Sequence, residues 1–315
     1  MDHTDRRLPR LPERLVRRID CVTTVSKEPE SVTLIITTYN WPAALDLTLR
    51  SAARQSVLPD EIIVADDGSG PETVRVVDAQ RIESDIPLLH VWQPDEGFRL
   101  ARSRNRAICA ARGEYLVIVD GDMVLHEHFM ADHLRAARRG SFIQGVRLLT
   151  GPAAAASMLR EGRLEVGFFA PGIRRRRHAV RNCLLSRLLF GERIGQRAIR
   201  GCNQGYWKSD LTRVNGFNEV FVGWGREDNE IAARLYNAGV RRRNLKFQAL
   251  AIHLHHESRH PDGANPNDAL LREAIATGKV WCDLGLDQHR DTIVPGVSQF
   301  ETPCAARGAS LRESA

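Results

Sequence analysis

Residues 115–125 read YLVIVDGDMVL, and the fold turns on what that stretch becomes. Apolar and β-branched residues from Tyr115 to Val119 run into Asp120 and Asp122, with Gly121 between them freeing the backbone to turn. Such a run predicts a buried strand that delivers two carboxylates to a loop. In an open α/β sheet the ligand crevice lies at the carboxyl ends of the strands, so acids there can hold a cation and the phosphates it bridges. The same acids also suit a turn or the cap of a following helix, and this stretch alone leaves both readings standing.

Upstream, SVTLIITTYN (31–40) is a second buried-strand pattern, with Asn40 and Pro42 expected to cap and open a helix. EIIVADDGSG (61–70) repeats the design: a strand, Asp66 and Asp67, a Gly-Ser-Gly turn, then Pro71 opening another helix. LLHVW (88–92) is a further strand candidate, and Leu100 to Arg112 has a helical pattern. Strands alternating with helices call for an α/β fold with a mostly parallel sheet and right-handed crossovers, Rossmann-like in character. No G-x-G-x-x-G follows the first strand, which argues against a dinucleotide cofactor.

Downstream, IRRRRHAVR (173–181) is a run of cations that suits either a solvated surface loop or a mobile basic lid over a phosphate site. GCNQGYWKSDLTRVNGFNE (201–219) has the mix of a ligand-lining loop and a short helix. GWGREDNEIAARLYNAG (223–239) predicts an acidic loop and a helix, with Ile231, Ala232 and Leu235 at helical spacing and Gly239 as its stop. RRRNLKFQALAIHLHHE (241–257) predicts a last strand ending in histidines, with another helix near 268–277.

A composition of 43% hydrophobic and 27% charged residues places the 315-residue chain among soluble globular proteins rather than disordered ones. The net charge of +6 favours polyanionic company: nucleotide diphosphates, an anionic membrane surface or nucleic acid. Nucleic acid is the poorest match, because the basic residues lie in a tail and one run without aromatics interleaved on a strand platform. Cys21, Cys109, Cys183, Cys202, Cys282 and Cys304 form no close pair, which argues against a zinc site or a redox motif and suits reduced thiols. No apolar run reaches the roughly 18 residues of a membrane span, and the first residues lack the apolar core of a secretion signal. These features predict a cytoplasmic protein, with the inner face of the cytoplasmic membrane as the alternative. Residues 1–30 are expected to be a basic flexible tail, whose Leu11, Leu15 and Ile19 could line a short helix in peripheral membrane contact. Residues 31–290 are expected to form one domain, and 291–315 a second tail.

Acids and histidines cluster at Asp66/Asp67, Asp120/Asp122, Glu227/Asp228 and His253/His255/His256. Carboxylates beside a strand end, plus a late histidine, suit Mn²⁺ or Mg²⁺ bridging a diphosphate rather than a closed zinc site.

TLIITTYNWPAALDLTLRSAARQS, VADDGS, EGFRLARSRNRAI and GEYLVIVDGDMV resemble the nucleotide-sugar half of family 2 glycosyltransferases of the GT-A fold. GYWKSDLTRVNGFNEVFVGWGREDNEIAARLYNAG is similar to the carboxyl-terminal segment of β-1,4-galactosyltransferases and of bacterial polysaccharide galactosyl- and N-acetylgalactosaminyltransferases. The resemblance implies a GT-A fold with a mostly parallel central sheet flanked by helices. Residues 31–150 would be the nucleotide-sugar half, and 201–260 the acceptor and base half.

By that resemblance Thr37, Tyr39 and Asn40 would edge the nucleotide pocket, and Asp67 would accept a hydrogen bond from uracil. Arg104 and Arg99 would contact the diphosphate or position its neighbours. Asp120 would face ribose and metal, and Asp122 would ligate the metal, with His256 as first choice and His253 as second choice for a further ligand. Trp224 would stack on a sugar, Glu227 would hold acceptor hydroxyls, and Asp228 would be the catalytic base. Arg226, where the animal galactosyltransferases have a small residue, and the HLHHE cluster depart from the family pattern.

The chemistry agrees. A carboxylate can take an acceptor proton as it becomes acidic in the transition state, and a metal neutralises the departing diphosphate. One base and one metal, with no carboxylate nucleophile, predict inversion. The expected activity is transfer of a hexose, galactose or N-acetylgalactosamine favoured, from a UDP-sugar to an oligosaccharide or lipid-linked glycan in bacterial surface polysaccharide synthesis. The alternatives are a transferase for another nucleotide sugar and a non-catalytic nucleotide- or glycan-binding protein of the same fold.

Overall fold

The computed structural model describes residues 28–165, 169, 171–189, 192–257 and 265–298, so most of both expected tails lies outside the described residues. The elements in chain order are β1 (Val32–Thr38), α1 (Pro42–Ala52), β2 (Glu61–Asp66), α2 (Pro71–Glu83), β3 (Leu88–Trp92), α3 (Leu100–Ala110), β4 (Tyr115–Asp120) and β5 (Met123–Leu125). There follow α4 (Phe129–Ala136), β6 (Ser141–Gln144), β7 (Leu148–Leu149), α5 (Pro152–Glu161), α6 (Cys183–Leu189) and β8 (Glu192–Arg193). The last are β9 (Asn203–Trp207), α7 (Lys208–Arg213), α8 (Glu227–Asn237), β10 (Arg241–Asn244), β11 (Ala251–His253) and α9 (Asn267–Thr277).

The main sheet has the strand order β3-β2-β1-β4-β9-β6-β10-β8. Its β3, β2, β1 and β4 are parallel, β9 runs antiparallel between β4 and β6, and β10 is parallel to β6. Successive side chains of a strand point to opposite faces, so a strand with helices on both sides needs apolar residues at every position. This is why Tyr115 to Val119 is unbroken. Leu34, Ile36, Val117 and Val119 pack in one core with Leu45 and Leu49 of α1. Ile35, Ile63 and Ile118 pack in another with Ile108 of α3 and Ile231 and Leu235 of α8. Each fully buried Leu or Ile contributes about 1.5–3 kcal/mol relative to exposure.

A second sheet, β5-β11-β7, sits at the carboxyl edge of the first. In it His253 pairs with Met123 on one side and Leu149 on the other. A histidine far downstream is thereby brought beside the chain that leaves Asp122.

Several expectations need correction. Asn40 does not cap α1. It lies at φ 48 and its Oδ1 accepts the Gly70 N–H, while Pro42 opens the helix without a side-chain cap. The span 241–257 is not one strand but β10 and β11 in different sheets. Phe247 (φ 60) and Ala249 (φ 47) take left-handed conformations between them, which an extended chain cannot contain. The basic run 173–181 is partly built in: Arg174 bridges to Leu149, residues Arg176–Ala179 form a 3-10 helix, and Arg181 pairs with buried Asp132. Packing also continues past residue 290, with Ile293 buried and Ser298 Oγ accepting from Arg81 and from the His90 N–H. Among the described residues no helix is long and apolar enough to cross a membrane.

Candidate functional site

The carboxyl ends of β1, β2 and β4 place Thr37, Asp66 and Asp120 along one edge, with Thr37 opposite Asp120 in the register. The turn after β4 is held tightly. The Gly121 N–H donates to the Thr37 carbonyl at 2.6 Å, and Thr48 Oγ1 donates to the Gly121 carbonyl at 2.9 Å. A Cβ at position 121 would sit 2.7 Å from the Thr37 carbonyl, so the spacer between the two acids has to be glycine.

Asp122 is the hub of a trio. Its Oδ2 lies 3.3 Å from Nε2 of His253 and 3.3 Å from Nε2 of His256. Its Oδ1 is buried without a hydrogen-bond partner among the described residues, while its carbonyl accepts the Leu254 N–H at 2.9 Å, tying β11 to the turn. Burial holds the His253 imidazole below its ordinary pKa, whereas the hydrogen bond to Asp122 raises His256. One carboxylate and two imidazoles with converging ligand atoms make a set able to hold a divalent cation. Both sequence candidates, His256 and His253, are in it.

Asp120 is not one of the three. Its Oδ1 accepts from Thr37 Oγ1 at 3.2 Å and lies 3.6 Å from Arg104 Nη2. Arg104, on α3, is 1% exposed and also donates from Nη1 to Glu227 Oε1 at 3.1 Å. The guanidinium stands 5.1 Å over the Phe217 ring. Gly201 makes room for it, since a Cβ there would meet Nη2 at 2.4 Å. Burial opposes the charge on Arg104, but Glu227, Asp120 and Asp228 outweigh it and keep the group protonated. Arg104 therefore connects the acid at the end of β4 to those at the start of α8.

Glu227 and Asp228 occupy the first turn of α8, where the helix dipole favours negative charge. Burial, reinforced by Asp228, pushes the Glu227 carboxyl up to about 7, against the pull of Arg104, and its Oε2 is buried without a partner. Burial also raises Asp228, opposed by Arg104 and by the N–H groups of Asn229 and Gly201. The Asn229 N–H reaches Asp228 Oδ1 at 2.7 Å.

The loop before α8 is strained and clamped. Arg226 has φ 82, a left-handed conformation unusual for a non-glycine residue. Its Nε donates to Asp268 Oδ1 at 2.6 Å. Asn265 Nδ2 donates to the Trp224 carbonyl and Asn267 Nδ2 to the Gly225 carbonyl, both at 2.9 Å. Trp224 is 44% exposed.

The remaining candidates border this edge with other partners. Asp67 accepts from Gln93 Nε2 at 2.6 Å and from the Arg99 N–H at 2.8 Å, and burial raises its carboxyl to about 6. The Arg99 side chain donates to the Glu96 carbonyl at 3.4 Å, and Tyr39 Oη donates to Asp95 at 2.9 Å. Sequence patterning missed Arg147, the third residue past β6. Its buried Nε has no hydrogen-bond partner among the described residues; burial opposes its charge, Cys202, Asp120 and Asp122 outweigh that, and the charge in turn acts to lower His253 and His256. No motif marks it, and the Asn265, Asn267 and Asp268 clamp carried no signal either.

Comparison with known proteins gives these findings. The model of glycosyl transferase family 2 matches residues 33–197, and a model described as the N-terminal domain of galactosyltransferase matches residues 184–258. Chondroitin synthase of Escherichia coli is 27% identical over 246 residues, 71% of this chain and 34% of that protein. Validoxylamine A glucosyltransferase of Streptomyces hygroscopicus subsp. limoneus is 26% identical over 276 residues, 76% of this chain and 54% of that one. The chain thus spans between a third and somewhat over half of these relatives' lengths. Among solved structures, S. aureus TarS 1-349 in complex with UDP-GlcNAc superposes with a TM-score of 0.52 at 19% identity, covering 83% of this chain and 69% of that one. The mannosyltransferase PcManGT from Pyrobaculum calidifontis, in complex with GDP-Man and Mn²⁺, gives 0.50 at 17% identity, covering 80% and 70%. These likenesses agree with the GT-A fold.

Proposed function

The chain belongs to glycosyl transferase family 2, and from that premise we propose that it is a metal-dependent, inverting hexosyltransferase acting from a UDP-sugar onto a glycan acceptor. One observation carries the reading: the Asp122, His253 and His256 trio and the Glu227, Asp228 pair lie on one edge of the sheet, joined through Asp120 and Arg104.

Asp122, His253 and His256 would hold the cation. When bound, it supplies Lewis-acid neutralisation of the leaving diphosphate. Two imidazoles among three ligands favour Mn²⁺ over Mg²⁺, which prefers oxygen and retained water. Thr37, Tyr39, Asn40 and Asp67 would border the base and Asp120 the ribose, with Arg99 holding Asp67 by its backbone. Trp224 would stack on a sugar face, and Glu227 would bind acceptor hydroxyls.

Environment divides the work of the two acids. Burial leaves Glu227 carrying a proton up to about pH 7, so it can donate to an acceptor oxygen. Burial raises Asp228 as well, but Arg104 and two backbone N–H groups oppose that rise and stabilise its anion, so it can accept the proton of the attacking hydroxyl. With a single base and no carboxylate nucleophile, attack is direct, and an α-linked donor would yield a β-glycoside.

Galactose or N-acetylgalactosamine is the favoured sugar, supported by the galactosyltransferase model matching the segment that bears Glu227, Asp228 and both histidines. A glucosyl donor is the second reading, favoured by the validoxylamine A glucosyltransferase relative. The test is nucleoside diphosphate release from a panel of nucleotide sugars with Mn²⁺. Release from UDP-galactose or UDP-N-acetylgalactosamine is expected, and it should be lost in Asp228→Asn and Asp122→Ala. Full activity in either variant would overturn the site, and activity with GDP or dTDP sugars alone would overturn the role given to Asp67.

A further inference from the structure

We propose that α6 and the arginine run before it form a docking face for an anionic lipid bilayer. Cys183 and Ser186 turn α6 toward the body: Gln248 Nε2 donates to Cys183 Sγ at 3.4 Å, and Ser186 Oγ donates to Gln248 Oε1 at 2.8 Å. At about 100° per residue, Leu184, Leu185 and Leu188 centre on the opposite side of the helix. They are 69%, 40% and 73% exposed, and Val180 and Ile194 beside them are exposed too. Leucines on the solvent side of so short a helix invert the pattern of a surface helix, whose outer face is polar.

The segment leading into α6 brings charge of one sign. Arg174, Arg175 and Arg176 are all exposed. Arg181 grips buried Asp132 through two nitrogens at 2.9 and 2.7 Å, and the Asn182 N–H donates to the Phe247 carbonyl. These ties hold the base of the helix on the body, so the leucines stay presented outward.

An apolar strip on a helix that exposed arginines lead into selects among occupants. A second copy would set the same arginines against one another in a chain of net charge +6. Nucleic acid would match the charge of the arginines and leave the leucines in water. A bilayer with anionic headgroups takes both, the leucines below the headgroup plane and the guanidiniums among phosphates. Location adds a consequence. Arg174 bridges to Leu149, and Leu149 pairs with His253, so the arginine run begins one strand away from the strand that carries His253 of the Asp122 trio. A lipid-anchored acceptor would then reach the site along the surface that holds the protein. That corollary rests on the transferase reading, whereas the docking does not.

The test is co-sedimentation of the full chain with phosphatidylcholine vesicles, with and without phosphatidylglycerol. Binding is expected with the anionic vesicles, absent from the neutral ones and reduced by salt. Leu184→Ser with Leu188→Ser should lower the bound fraction roughly tenfold at an unchanged melting temperature. Leu188→Trp should bind at least as well as the wild type, a result that damaged folding would not give. The proposal is overturned if the wild type stays in the supernatant with anionic vesicles. It is equally overturned if the double serine variant sediments like the wild type, or if Leu188→Trp loses binding. UDP release measured without vesicles reports separately on the transferase reading, since none of these residues belongs to that site.

Discussion

The Asp122, His253 and His256 trio keeps part of its surface in solvent and leaves its ligand atoms converging, while Glu227 is sealed beneath its loop with Arg104 as its charged partner. The first centre is assembled from short strands that cross at the sheet edge. The second sits on a helix start whose loop is strained at Arg226 and clamped by α9. A cation needs open coordination positions and acid–base exchange needs shielded carboxyls, so on the proposed reading the two arrangements would suit different halves of one reaction. Five changes separate them experimentally.

Asp228→Asn strikes only the sealed centre. Turnover should fall by about 10³-fold, with stability kept or raised because one of two close acids is neutralised. UDP release and a thermal melt read both effects. Arg104→Met leaves Glu227 facing a buried vacancy of charge, and breaking such a pair costs about 3–5 kcal/mol. The double change Arg104→Met with Glu227→Gln should recover part of that loss in urea denaturation, which a mere packing defect would not allow.

Asp122→Ala strikes the open centre instead. A drop in activity of about 10²-fold is expected together with loss of the Mn²⁺-induced rise in melting temperature, while the metal-free protein melts as before. The fourth change is in pH. Glu227 moves from 4.5 to about 7 on folding, so between those values the folded state holds a proton that the unfolded chain has lost. Stability should therefore decline as pH rises through that window, by up to about 1.4 kcal/mol per unit. Glu227→Gln should flatten the decline, and an unchanged slope would show that the Glu227 carboxyl does not cause it. Smallest is Asp268→Ala, which frees Arg226 without touching either centre. Acceptor KM should rise about tenfold at most, with kcat nearly kept, as expected for lost positioning of the Trp224 loop.

Much of the parallel half was legible because burial on both faces leaves a strong trace. SVTLIITT and YLVIV could scarcely be anything but central strands, and the acids after YLVIV had to fall at the carboxyl edge. Residues 241–257 were not legible. Two strands of three or four residues, separated by left-handed Phe247 and Ala249, have no periodicity long enough to distinguish from one. In the site, the acids and histidines stood out by type and spacing. Arg104 was named as a diphosphate contact or a positioner of its neighbours, but its pairing with Glu227 was not legible, because it depends on α3 meeting α8 across a gap that Gly201 leaves open. Arg147 and the α9 clamp likewise act through neighbours distant in sequence, which a linear pattern does not record.

The guanidinium shared by Asp120 and Glu227 also bears on recombination. Grafting residues 201–260 from another transferase onto this donor half, or the reverse, transplants one end of a bridge without the other. A working chimera must carry the residues matching 104 and 201 as a set, so on the proposed reading acceptor preference would be exchanged in units larger than the loop proposed to meet the acceptor.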